Sequence, residues 1–173
     1  MIKVIKETYT KQNNKIELLE TTNESFDKKV LIIGVFHGEE PQGEYLINRF
    51  LKTDLSGIKN KLYIVPCLNP DGKSVNKRQN SSGVDLNRNF PTKNWKKTEK
   101  NDYYGGEYPG SETETMFMTD ILENYRPDVI LSIHAPFRIV NYDGPAKEIA
   151  EKISELTGYP VQADIGYPTP GSF

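Results

Sequence analysis

The sequence predicts an α/β fold with a mixed, largely parallel sheet flanked by helices. Three observations carry this. Three continuous apolar runs rich in β-branched residues occur, VLIIGVF at 30–36, LYIVPC at 62–67 and DVILSIH at 128–134; segments of helical spacing lie between and after them; and the N-terminus alternates apolar with polar residues. Uninterrupted apolar runs suit strands covered on both faces, and strand–helix alternation suits a sheet containing parallel strands.

Taken in order, residues 2–9 and 15–20 alternate on either side of KQNN, which predicts a hairpin. The run at 30–36 is a buried strand ending at His37. Pro41 suits a first helical turn, with Tyr45, Leu46, Arg49 and Phe50 following at helical spacing. The second strand, at 62–67, leads into a long polar segment, roughly Asn69 to Gly110, of a length that is usually functional when irregular. Ser111 with Glu114 forms an S-x-x-E capping box, and the periodicity of Met116, Phe117, Ile121 and Leu122 predicts a helix ending before Pro127. The strand at 128–134 carries His134. A further helix over about 145–157 closes at Gly158, after which YPVQADIGYPTPGSF is too broken by glycine and proline for a regular element. No repeat or linker interrupts residues 1–173, so they read as a single domain.

Lys plus Arg number 22 against 24 Asp plus Glu, a formal charge of -2, so no uniform field draws the chain to nucleic acid or an anionic membrane. Ligand charge must be met locally. The first residues lack the apolar stretch of a signal peptide and no later run approaches a membrane span, which predicts a cytoplasmic protein. The lone cysteine, Cys67, reads as a buried strand residue.

Both histidines of the chain, His37 and His134, fall at the ends of predicted strands. In open α/β sheets the ligand crevice lies beyond the carboxyl ends of strands, so both imidazoles stand where a site would be. Glu40 follows His37 as H-x-x-E, and two histidines with a carboxylate are a recurrent catalytic zinc set. Taken alone, the same four residues equally suit a solvated acidic loop before a helix.

The long loop supplies N-P-D-G at 69–72 and then KRQNSSGVDLNRNFP from 77 to 91, while Ser132-Ile133-His134 forms S-x-H. H-x-x-E, N-P-D-G, a following arginine, D-x-N-R-N and S-x-H, in this order, resemble the zinc metallocarboxypeptidase family over nearly the whole chain from about residue 30. The resemblance implies that His37, Glu40 and His134 bind one zinc ion, and that Arg78 polarises the scissile carbonyl and stabilises its oxyanion. It implies that Asn87 and Arg88 hold a substrate carboxylate, that Asp85 orients His37 through its other ring nitrogen, and that Tyr167, ahead of P-T-P-G-S, covers bound substrate.

PGSETET at 109–115, SIHAPF from 132 and YDGPA from 142 resemble the murein peptide amidase branch of that family. This implies hydrolysis of the γ-D-glutamyl–diaminopimelate amide of a murein tripeptide, a small anionic peptide, during cell-wall recycling. The family's general-base glutamate stands on a late strand, which the resemblance places beyond Phe173; the expectation is a zinc-carboxypeptidase-like domain lacking its last strand or strands, with apolar surface uncovered. Two other readings are a zinc deacylase of the aspartoacylase or desuccinylase type, disfavoured by the N-P-D-G turn and the R-x-N spacing, and a non-catalytic muropeptide-binding protein. Glu112 and Glu114 read as first-turn helix residues.

Overall fold

The computed structural model describes residues 2–135 and 137–173. They form two compact units, one running to His134 and joined by Pro170–Phe173, the other spanning Ala135–Thr169.

The first unit holds a five-stranded sheet. Strands β1 (Ile2–Tyr9) and β2 (Lys15–Thr21) make the N-terminal hairpin, β3 (Lys29–Gly34) and β4 (Lys61–Val65) follow, and β5 (Val129–Ile133) comes last, in the order β1-β2-β4-β3-β5. The sheet is mixed: β3 pairs parallel to both β4 and β5, while the hairpin is antiparallel within itself and to β4. Because β4, β3 and β5 run the same way, their carboxyl ends open on one edge.

The pleat sorts the apolar runs between two faces. Leu31, Ile33, Tyr63 and Val65 point to one side, where they pack with Ile16, Leu18, Phe117, Met118 and Ile121. Leu62 and Ile64 point to the other and meet Ile47. The second face is covered by α1 (Gln42–Phe50) and the first by α3 (Thr113–Tyr125). Helix α1 lies close against β3: a Cβ on Gly34 would stand 2.4 Å from the Pro66 carbonyl oxygen and 3.0 Å from the Gly43 backbone. This approach anchors the loop that carries His37 and Glu40. Val35, buried and β-branched, takes a left-handed φ of 55° as the chain leaves β3, a strained turn that redirects Phe36 and His37.

The long polar segment contains a short helix, α2 (Pro70–Ser74), and a single 3-10 turn (Leu86–Arg88), with no other regular element before α3. The capping box expected at Ser111 does not form. The N-cap of α3 is Glu112, in an extended conformation and without a side-chain cap, and the hydroxyl of Ser111 donates instead to Glu112 Oε1 at 2.7 Å. Glu114 stands in the first turn of α3 as expected and Glu112 is its N-cap, and both are buried with their carboxyls facing the amide of Asn80. At its other end α3 stops at Arg126, left-handed with φ 47°, immediately before Pro127. Cys67 lies two residues beyond β4, and burial pushes its thiol up to about 12, which suppresses thiolate chemistry.

The second unit contains α4 (Lys147–Thr157), closed by a left-handed Gly158 as expected, and a two-stranded parallel pair, β6 (Val140–Asn141) and β7 (Val161–Gln162). Strand β7 is the short regular element inside the stretch expected to have none.

Candidate metal centre

Three strand ends supply the site. His37 follows β3, the N-P-D-G turn follows β4, and His134 is the residue after β5; Gly34 pairs with Ile133 in register, so the two histidines leave the sheet side by side. Asn69 ties the β3 exit to the long loop. Its side-chain oxygen accepts from Gly72 N–H at 2.9 Å, capping α2, while its amide donates to the carbonyls of Phe36 at 3.3 Å and Arg78 at 3.2 Å. The Gly38 N–H also donates to the Arg78 carbonyl, at 3.3 Å. The first residue of N-P-D-G thus brings Arg78 to the His37 loop.

The donor atoms of His37, Glu40 and His134 lie within 4.8 Å of one another. The Glu40 carboxylate sits between the two rings, with Oε1 3.0 Å from His37 Nδ1 and Oε2 2.9 Å from His134 Nδ1. On the far side of its ring, His37 Nε2 is 3.2 Å from Asp85 Oδ1. The His134 ring stacks on Phe36 with centroids 5.3 Å apart. A ring nitrogen held by an outer carboxylate, with the other facing an inner carboxylate and a second imidazole, is the donor set a zinc ion takes.

The electrostatics agree. Burial opposes charge on Glu40, but hydrogen bonds from His134 and His37 outweigh it and hold the carboxyl down at about 2. Burial likewise opposes protonation of His37, yet the hydrogen bonds to Asp85 and Glu40 prevail and raise its pKa. A cation held between His37 and Glu40 would neutralise the same buried charge that protonation of His37 otherwise meets.

Arg78 and Asp85 form the neighbouring pair. Arg78 Nε donates to Asp85 Oδ2 at 2.9 Å and Nη2 lies 2.8 Å from the same oxygen, while Nη1 is 3.4 Å from His37 Nδ1. Asp85 is fully buried; despite that burial, His37, Arg78 and Arg88 hold its carboxyl below the usual range. Asp85 therefore serves His37 and Arg78 together, a double role that the spacing of the residues did not reveal.

Asn87 and Arg88 lie in the 3-10 turn, capped by Asp85 Oδ1, which accepts the Asn87 N–H at 2.9 Å. Asn87 Oδ1 accepts the Phe173 N–H at 3.0 Å, which turns the amide NH2 the other way. Arg88 is buried, and its Nη1 donates to the Asn87 carbonyl at 2.5 Å. Tyr103 was not foreseen. Its half-exposed ring has Arg78 Cζ 5.0 Å and Arg88 Cζ 5.9 Å from its centre, within cation–π range of both, and no periodicity in its loop marks it out. Tyr167 is an exposed residue of the second unit, whereas His37, Glu40, Arg78, Asp85, Asn87, Arg88 and His134 all belong to the first.

Residues 1–152 match the zinc carboxypeptidase family. The chain is 34% identical over 155 residues to murein peptide amidase A of Escherichia coli strain K12, covering 83% of this chain and 63% of the relative. It is 30% identical over 158 residues to murein peptide amidase A of Vibrio campbellii, covering 83% and 62%. The chain thus spans less than two thirds of the length of these curated relatives. In fold it superposes on the crystal structure of murein-tripeptide amidase MpaA from Escherichia coli O157 with a TM-score of 0.79 at 27% identity, over 95% of this chain and 73% of that one. With the family matched over most of its length and the fold shared, this chain belongs to the zinc carboxypeptidase family.

Proposed function

We propose that the chain carries the metal centre and substrate clamp of a zinc-dependent murein peptide amidase, one that hydrolyses the γ-D-glutamyl–diaminopimelate amide of a murein tripeptide in the cytoplasm. The observation that carries the reading is the convergence of His37, Glu40 and His134 beside two arginines, Arg78 and Arg88. Similarity to murein peptide amidases supports the substrate class over an N-acyl amino acid.

His37 Nδ1, Glu40 and His134 Nδ1 would hold one zinc ion, which supplies a Lewis acid that polarises the amide carbonyl and lowers the pKa of water. Asp85 keeps a proton on His37 Nε2, leaving Nδ1 free as a donor atom. Arg78, already at the edge of the site, places a fixed cation where negative charge develops on the carbonyl oxygen. Asn87 presents its amide NH2 and Arg88 its guanidinium to the free carboxylate of the peptide. In the balanced reaction water adds across the amide: hydroxyl to the carbonyl carbon, and a proton to the departing nitrogen of diaminopimelate. The reading assigns those proton transfers to a carboxylate, and substrate cover to Tyr167.

Two measurements test this. Calorimetric binding of L-Ala-γ-D-Glu-diaminopimelate to the zinc-loaded chain should weaken by about tenfold to a hundredfold in Arg88→Ala, as expected for loss of a charge-assisted pair. Hydrolysis of the same peptide by the zinc-loaded protein should vanish in His37→Ala. Hydrolysis of N-acyl amino acids with no action on the tripeptide would move the assignment to a deacylase. Saturable tripeptide binding without turnover would make the protein a muropeptide receptor.

A further inference from the structure

The 78–89 segment presents Arg78, Asp85, Asn87 and Arg88, yet apart from the three-residue turn at Leu86–Arg88 it has no regular structure to hold it. Both of its ends are fastened to the start of α3. At one end, Asn80 Nδ2 donates to Glu112 Oε2 at 2.9 Å and to Glu114 Oε1 at 3.3 Å. At the other, Asn89 Oδ1 accepts the Glu112 N–H at 3.2 Å, and Asn89 Nδ2 donates to the Gly105 and Tyr108 carbonyls. Asn80 also closes the turn between Arg78 and Asp85. Its side-chain oxygen accepts from Ser82 N–H at 3.0 Å and Val84 N–H at 3.1 Å, and its own N–H donates to the Val84 carbonyl at 2.9 Å.

We propose that Asn80, gripped by Glu112 and Glu114, is a positioning residue that sets where the Arg78–Asp85 pair stands beside the metal centre. It touches neither metal ligand nor the proposed substrate and acts through the turn it closes. Burying two carboxyls against one amide costs stability unless something requires them there, and both glutamates are at least 95% buried. Burial pushes the Glu114 carboxyl up to about 7, with Glu112 and Asp71 adding like charge. Lys11, 3.8 Å from Glu112 Oε2, is the cation facing the cluster from the hairpin turn. The Asn80 amide is therefore the group that bridges the two carboxyls.

Asn80→Ala removes the grip and the turn; Asn80→Asp keeps the acceptor oxygen of the turn but sets a third carboxyl against the other two. The first readout is the Nε–Hε resonance of Arg78 in metal-free protein, which reports its hydrogen bond to Asp85. Both variants should displace or broaden it at pH 8, and Asn80→Asp should recover it at pH 6, where a proton bridges the carboxyls. The second readout is kinetic and rests on the amidase reading. In Asn80→Ala, kcat should fall about tenfold to a hundredfold, the scale of a misplaced catalytic group. KM should hold within about threefold because Asn89 keeps its own tie. An unchanged Arg78 resonance at pH 8 in Asn80→Asp, or an unchanged kcat in the active enzyme, overturns the proposal. If the wild-type protein neither binds nor cleaves the tripeptide, the amidase reading fails and the resonance alone decides the role of Asn80.

Discussion

At the scale of single residues, the site is a chain of carboxylates each serving two cations or cation-like partners. Glu40 takes both histidines, and Asp85 takes His37 and Arg78. Removing charge from Asp85 while keeping its shape should leave His37 poorly oriented. Asp85→Asn is expected to weaken zinc affinity by about tenfold to a hundredfold, measured by competition with a chelator. The depressed carboxyls also set an acid limit. The pKa of Glu40 is near 2 in the folded chain against an ordinary 4.5, so its contribution is complete above about 4.5 and is lost as pH falls towards 2. The urea midpoint of the metal-free protein should therefore fall across that window, and Glu40→Gln should flatten the fall; equal slopes in both proteins would show that Glu40 is not the group responsible.

At the scale of elements, the closeness of two loops is what brings Arg78 to His37. A Cβ on Gly38 would lie 2.0 Å from the Gly72 backbone carbon and 2.3 Å from the Lys73 nitrogen, so the His37 loop and the start of α2 touch through bare backbone. Neither can yield without displacing Asn69, whose amide holds both segments. Gly38→Ala should destabilise the fold by about 3 kcal/mol, and zinc affinity should drop with it as the loop carrying Glu40 shifts; denaturation midpoint and chelator competition read the two effects separately. A wild-type midpoint would mean that the loops have more room than their packing implies.

At the scale of the whole molecule, the feature that stands out is the β5 edge. Among the described residues, β5 pairs with β3 alone, and Ile130 and Leu131, on opposite faces, are 43% and 37% exposed. An apolar edge strand with free backbone donors and acceptors is a template for association with another strand. The 173-residue chain should self-associate at high concentration, and Leu131→Lys should reduce this in sedimentation velocity without altering zinc affinity. Equal association by both proteins would place the adhesive surface elsewhere.

The order of strands and helices was written in local patterns that need no tertiary context: period-two alternation for the hairpin, uninterrupted β-branched runs for β3, β4 and β5, and helical spacing for α1, α3 and α4. Histidines at two strand ends, with Glu40 three residues after the first, were legible for the same reason, and the motif order marked the family. What only the folded chain decided concerns residues in the long polar loop and its contacts, where no periodicity constrains a side chain. The sharing of Asp85 by His37 and Arg78, the Tyr103 ring over two guanidinium groups, and the inward turn of Glu112 and Glu114 onto Asn80 each depend on partners distant in sequence. Local sequence at 111–114 favours a capping box, but the unmet donors of a buried asparagine amide outweigh a surface cap, and that balance exists only after the segments have come together.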